Sequence, residues 1–321
     1  MHSFEELTAI FKEKFEVKHF PSFPATLYEP GDYFLTLSGK RIRPVMCLMG
    51  NELFGDLHPD VFHLATAIEL FHNFTLIHDD IMDRAPLRRG KQTVHAKYSE
   101  ATALLSGDVM MVISYDYLNK ITTGNLQTIL HFFNRTAREV CEGQQLDMDF
   151  EQLDNVKLEE YIHMIELKTS VLLATSLRLG AILGGAGTGN QEHLYEFGKN
   201  LGIGFQVQDD YLDAFGDPGK FGKQVGGDIL ANKKTFLMIK ALQVASDSQR
   251  EKLKDLVHEE PATKVSGTLQ LFRDCGVDEW AMELKEQYIT KAFNHLEDIA
   301  VLSSRKEPLK NLARYLMQRD F

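Results

Sequence analysis

Apolar residues recur along this chain at the three-to-four-residue spacing of helices. No stretch alternates strictly between apolar and polar, as a half-buried strand would. The clearest case runs from Pro59 to Met82, where Leu64, Ala67, Ile68, Phe71, Phe74, Thr75 and Ile77 fall at helical intervals. Pro59 and Asp60 suit its first turn: proline has no amide to leave unpaired there, and an acid favours the positive end of the helix dipole. The same pattern predicts helices near 40–54, 101–122, 126–148, 158–184, 191–215, 233–245, 261–274, 278–300 and 304–318. Two stretches interrupt it. Arg84 to Thr93 carries Pro86 and Gly90, and Gly216 to Lys234 carries five glycines among several lysines. The second is expected to be a mobile loop that closes as a lid. With no Ser/Pro-rich linker and no abrupt change of composition, residues 1–321 read as one all-α domain.

Composition narrows the possibilities. At 321 residues, 44% hydrophobic and 25% charged, the chain resembles an ordinary soluble globular protein. Its net charge of -11 argues against nucleic acid as a partner and against a surface for anionic lipid. Any anionic ligand must then be held by local cations or by metal. Cys47, Cys141 and Cys275 lie far apart, which predicts reduced thiols in a cytoplasmic protein and neither zinc spacing nor a disulfide framework. The N-terminus mixes acids and bases and shows no secretory signal. The longest apolar stretch, SVLLATSLRLGAILGG, is broken by Arg178 and is too short for a transmembrane segment.

Two stretches carry the candidate chemistry. LIHDDIMDRAPLRRG holds Asp79, Asp80 and Asp83, and FQVQDDYLDAFGD holds Asp209, Asp210 and Asp213 at the same spacing. Residues i and i+4 share a helix face, so Asp79 lies near Asp83 and Asp209 near Asp213. One reading is a solvated acidic face. Both clusters, however, follow strongly apolar turns, and buried carboxylates without a counter-charge are costly. A hard divalent ion such as magnesium relieves that cost, binding through one or two carboxylates, water and phosphate oxygens. The lack of nearby cysteine or a dense histidine cluster favours it over zinc. Lys40, Arg41, Arg43, Arg88, Arg89, Lys168, Lys223 and Lys233 supply cations for a diphosphate, and no P-loop sequence is present.

These motifs together resemble those of the trans-isoprenyl diphosphate synthases, the polyprenyl synthetase family. SGKRIRP is similar to that family's G-G-K-R-x-R-P, with Ser38 in place of a glycine. DDIMD…RRG, LKTS, FQVQDDYLD and the later GK…GGDI…NKKT follow in the family's order, from about Leu37 to Leu237. The resemblance implies about ten or more helices around a deep central cavity, the isoprenoid synthase type, in a homodimer. It implies condensation of isopentenyl diphosphate with an allylic diphosphate. Asp79, Asp83 and Asp209 are then expected to bind about three Mg2+ ions, with Asp80, Asp210 and Asp213 supporting them. Arg88, Lys168, Lys223 and Lys233 are expected to hold the allylic diphosphate, and Lys40, Arg43, His72 and Arg89 the isopentenyl diphosphate. Thr169 and Gln206 are expected to flank the allylic cation. Phe71, Phe74, Phe205 and Tyr211 either line its cavity or simply pack the core.

The cavity is expected to grow along the helix ending at Asp79, with Phe74 and Thr75 as its floor. An aromatic residue five before the first motif resembles archaeal-type geranylgeranyl diphosphate synthases. A twenty-carbon product is therefore expected, with fifteen carbons next, because Phe71 and Met111 narrow the path. A di-iron carboxylate bundle is a rival, since Glu69-x-x-His72 and Glu160-x-x-His163 match its motif. It leaves both aspartate clusters unexplained. A non-catalytic regulatory subunit would not keep both clusters intact, and a terpene cyclase would not need the GKRIRP and His72 group.

Overall fold

The computed structural model describes residues 1–37, 39–153, 155–216 and 225–318. These residues divide into two compact units. One comprises Met1–Asn134, Thr175–Leu194 and Ala300–Leu309; the other comprises Arg135–Ala174, Tyr195–Ile299 and Lys310–Phe321. The fold is all-α, as the apolar spacing predicts.

In the first unit, α1 (Phe4–Phe15) opens with a capping box in which Ser3 accepts from the Glu6 amide and Glu6 returns the bond. Then come α2 (Ala25–Thr36), α3 (Ile42–Glu52) and the long α4 (Val61–Met82). α4 is apolar on most of its circumference and packs against α3 and α6 (Glu100–Leu118). Asp60 stands at the N-cap of α4, but its side chain does not cap it. Instead it accepts from the amide and hydroxyl of Thr122, at 2.8 and 3.2 Å, and pins the chain that follows α6. The stretch Arg84–Thr93, which interrupts the helical pattern, holds a hairpin: β1 (Leu87–Arg88) pairs antiparallel with β2 (Lys91–Gln92), and α5 (Val94–Lys97) follows.

Two more helices follow, α7 (Leu126–Gln152) and α8 (Leu158–Ile165). A single helix over 158–184 is the expectation from sequence. The structure breaks it with one π turn, Glu166–Ser170, before α9 (Val171–Leu183). Next are α10 (Thr188–Phe215), the short α11 (Gly227–Leu230), α12 (Phe236–Val244), α13 (Asp247–Leu256), α14 (Pro261–Asp274), α15 (Val277–Asp298) and α16 (Ser303–Met317). The second unit's core gathers Val207, Phe236, Leu237, Phe272 and Ala281. There α12 packs against α8, α14 and α15. No described helix is long and apolar enough to cross a membrane.

Candidate active site

Asp79 and Asp80 end α4, and Asp83 is its C-cap residue. This is the negative end of the helix dipole, where three carboxylates are doubly unfavourable and a cation is favoured. The hairpin supplies one. Its two turn residues, Arg89 and Gly90, have φ of 53° and 74°, the positive values that a tight two-residue turn demands. Arg88, just before the turn, donates Nε to both oxygens of Asp80 at 2.8 and 2.9 Å. Its other arm lies 3.6 Å from Asp79. Asp80 is 2% exposed and Asp79 20% exposed. Burial pushes Asp80 above the usual carboxylate range, and Arg88 pulls it back.

A second basic group lies in the same unit. Arg43 donates to Nε2 of His72 at 3.0 Å, which leaves the ring proton on Nδ1. Burial and the charges of Arg43, Arg89, Arg88 and Arg41 hold His72 well below its ordinary value, so it is neutral near pH 7. Burial also lowers Arg43 to about 10. Arg89 donates to the Leu37 carbonyl at 3.0 Å. Arg41 is spent on structure: it pairs with Glu69 and donates to the Leu35 carbonyl at 3.0 Å. Lys40 is exposed beside it in sequence. One carboxylate, Glu69, thus faces several guanidiniums in a chain whose net charge is -11.

The second cluster lies in the last two turns of α10, again at a negative helix end. Asp210 is gripped at both oxygens: the Tyr161 hydroxyl donates to one at 2.6 Å and the Gln206 amide to the other at 2.9 Å. Thr169 donates to Gln206 at 3.5 Å, extending the chain. Burial lifts Asp210 to about 7 against the pull of those donors. Asp213 accepts from the Asp228 amide at 3.0 Å and so anchors the start of α11, while Asp209 stays half-buried. Lys168 sits in the π turn and donates to Asp147 at 2.6 Å. Two glycines make room for that turn. A Cβ on Gly143 would lie 2.3 Å from the Lys168 amide, and one on Gly202 would lie 2.8 Å from Ser170. Lys168, Thr169, Gln206, Asp210 and Lys233 line one cavity of about 160 Å³ together with Asp147 and Tyr161.

A family model described as Polyprenyl synthetase matches residues 24–272. The chain belongs to the polyprenyl synthetase family. It is 39% identical over 300 residues to a geranylgeranyl pyrophosphate synthase of Geoglobus acetivorans, covering 92% of each chain. It is 33% identical over 317 residues to a geranylfarnesyl diphosphate synthase of Natronomonas pharaonis, covering 93% of this chain and 91% of that one. The crystal structure of a geranylgeranyl pyrophosphate synthase superposes with a TM-score of 0.94 at 40% identity, covering 100% of both chains.

Within this polyprenyl synthetase fold, each unit gathers part of the expected set. Asp79, Asp80 and Arg88 meet in the first, as do Arg43 and His72. Lys168, Thr169, Gln206, Asp210 and Lys233 meet in the second. Phe74 is 8% exposed, with its ring 4.7 Å from His78 and 5.6 Å from Phe71. The Thr75 hydroxyl donates to the His72 carbonyl at 2.8 Å. Lys223, and residues 217–224 of the expected lid, lie outside the described residues. Tyr161, Asp147, Gly143 and Gly202 are absent from the sequence-based set. Each acts through a neighbour distant in sequence, which helical spacing does not reveal.

The donor set fits magnesium. Among the described residues no three His, Cys, Asp or Glu side chains converge as a ready-made metal site. Hard carboxylates in ones and twos suit an ion that completes its shell with water and phosphate oxygens. The di-iron alternative fails on its own residues. Glu69 is taken by Arg41 and Asn73, His72 by Arg43, and Glu160 caps α8 by accepting the Lys157 amide at 2.8 Å.

Proposed function

We propose that this chain is a short-chain trans-prenyltransferase that condenses isopentenyl diphosphate head-to-tail with an allylic diphosphate to give geranylgeranyl diphosphate, and that residues 1–321 act as one catalytic domain. The observation that carries this reading is the basic group around His72, formed by Arg43 and Arg89 in addition to the Arg88–Asp80 pair. A cyclase handles one diphosphate, whereas a condensing enzyme must hold a second that never ionises.

In this reading Asp79, Asp83 and Asp209 hold Mg2+, and Asp80, Asp210 and Asp213 fix the helix ends that carry them. When bound, Mg2+ neutralises the leaving diphosphate so that the allylic carbon–oxygen bond can break. Arg88, Lys168, Lys223 and Lys233 bind that diphosphate as its charge develops. Lys40, Arg43 and Arg89 hold isopentenyl diphosphate by charge, and neutral His72 adds a hydrogen bond. The oxygens of Thr169 and Gln206 face the allylic cation. The isopentenyl double bond attacks it, a carbon–carbon bond forms, and one proton leaves, with the released diphosphate as its acceptor. Phe74 and Thr75 form the floor that stops growth. The exposed Leu105 and Val112 of α6, one face of that helix, support a homodimer.

The test is a product-length assay with Mg2+, labelled isopentenyl diphosphate and dimethylallyl, geranyl or farnesyl diphosphate. A dominant twenty-carbon alcohol after dephosphorylation supports the reading, and Phe74→Ala should lengthen the product by at least one isoprene unit. No condensation from any primer would refute the activity. An unchanged product from Phe74→Ala would remove Phe74 as the floor.

A further inference from the structure

The second unit holds another, larger cavity, of about 920 Å³. Small-molecule sites span roughly 300–1,000 Å³. Part of its lining is apolar: α12 offers Met238, Ile239 and Leu242 on one face, and Leu253 of α13 lies one turn before Val257, the residue that caps that helix. Cations line it too: Lys233 and Lys234 before α12, Arg250 and Lys254 a turn apart on α13, and Lys264 on α14. Glu151 is the one acid among the described residues that line it.

Lys264 makes the case. It is 7% exposed, yet its ammonium is bonded to the Leu230 carbonyl at 3.2 Å and the Asn232 side-chain oxygen at 2.6 Å, both neutral. A buried ammonium without a carboxylate partner is costly, and an anion in the cavity removes that cost. Lys234 likewise bonds a neutral carbonyl, that of Phe150. Several lysines around one space suit a phosphate head better than a singly charged carboxylate, and the apolar part of the lining suits a hydrocarbon tail.

We propose that this cavity binds an amphiphilic anion, a single hydrocarbon chain carrying a phosphate or diphosphate head. The site does not depend on the prenyl-transfer reading. Lys233, Lys234 and Glu151 border both this cavity and the smaller one, so the test must separate them. The full chain would be titrated calorimetrically with dodecyl phosphate, farnesyl phosphate and inorganic phosphate, with and without saturating Mg2+ and inorganic diphosphate. At least one chain-bearing phosphate should bind at least about tenfold tighter than inorganic phosphate. The tighter of the two distinguishes an acyl-type source from an isoprenoid one. Binding should persist with Mg2+ and diphosphate, weaken about tenfold in Lys254→Glu and be lost in Leu242→Trp, which fills the space. Displacement by Mg2+ and diphosphate would overturn the proposal, as would equal affinity in both variants and wild type. Should Leu242→Trp fail to fold, the exposed Lys254→Glu decides alone.

Discussion

In α4 the middle carboxylate of the motif, Asp80, is closed by a guanidinium at 2.8 Å. In α10 its counterpart, Asp210, is closed by a phenol and an amide at 2.6 and 2.9 Å. The third carboxylates differ as well: Asp83 is exposed at its helix end, whereas Asp213 accepts the Asp228 amide and ties down the next helix. One spacing therefore serves two electrostatic designs. The first brings a permanent counter-charge on a strained hairpin. The second relies on neutral donors, and burial drives its carboxylate to about 7. A five-residue motif fixes which carboxylates share a face, but the packing around it decides how each is held.

The largest effect should come where the designs are expected to be equal. Asp79→Asn and Asp209→Asn should each lower kcat by about 10²–10³-fold, the scale of one lost stabiliser of developing charge. Steady-state assays over a Mg2+ series check this, and a loss confined to one variant would break the pairing of the clusters. Next in size are the supports. Arg88→Ala strips a buried carboxylate of its partner and should cost about 3 kcal/mol of stability. Tyr161→Phe removes one hydrogen bond to a carboxylate and should cost about 2 kcal/mol. Urea denaturation ranks them, and the reverse order would show that neutral donors hold the tighter cluster.

The smallest effect concerns pH. His72 is held below its ordinary value of 6.5, so below that pH the unfolded chain takes up a proton that the folded chain refuses. Its contribution is therefore present above pH 6.5 and is lost as pH falls. Melting temperatures between pH 7 and 5 should drop further for the native protein than for His72→Gln. Equal slopes would mean that the ring is charged in the fold after all.

Much of this was legible in the chain. The apolar spacing over 59–82 locates α4, and the two motifs mark where α4 and α10 end. The misses have physical causes. α1 and α2 lie before the first helix read from the pattern; α2 carries Pro30 and Gly31, which disguise it. α13 has two buried residues, Leu253 and Leu256, in an otherwise polar run, so it shows almost no stripe. Its signal was the Ser246–Gln249 capping box. The grip of Tyr161 on Asp210 spans 49 positions and needs the fold to bring the two together.

The Glu166–Ser170 π turn also governs how this chain can change in length. A π turn holds one residue more than an α turn, and each helical residue advances the phase by about 100°. The sequence phase of α9 is thus shifted by one position relative to α8, and the extra residue is taken up at the turn that carries Lys168. Deleting one residue there would turn the π turn into an α turn and leave the faces of α8 and α9 where they are, because the bulge and not the flanking helices holds the extra residue. In this segment a gap in an alignment is absorbed by the turn, and a shorter relative could keep both helix faces while changing only which residue meets Asp147.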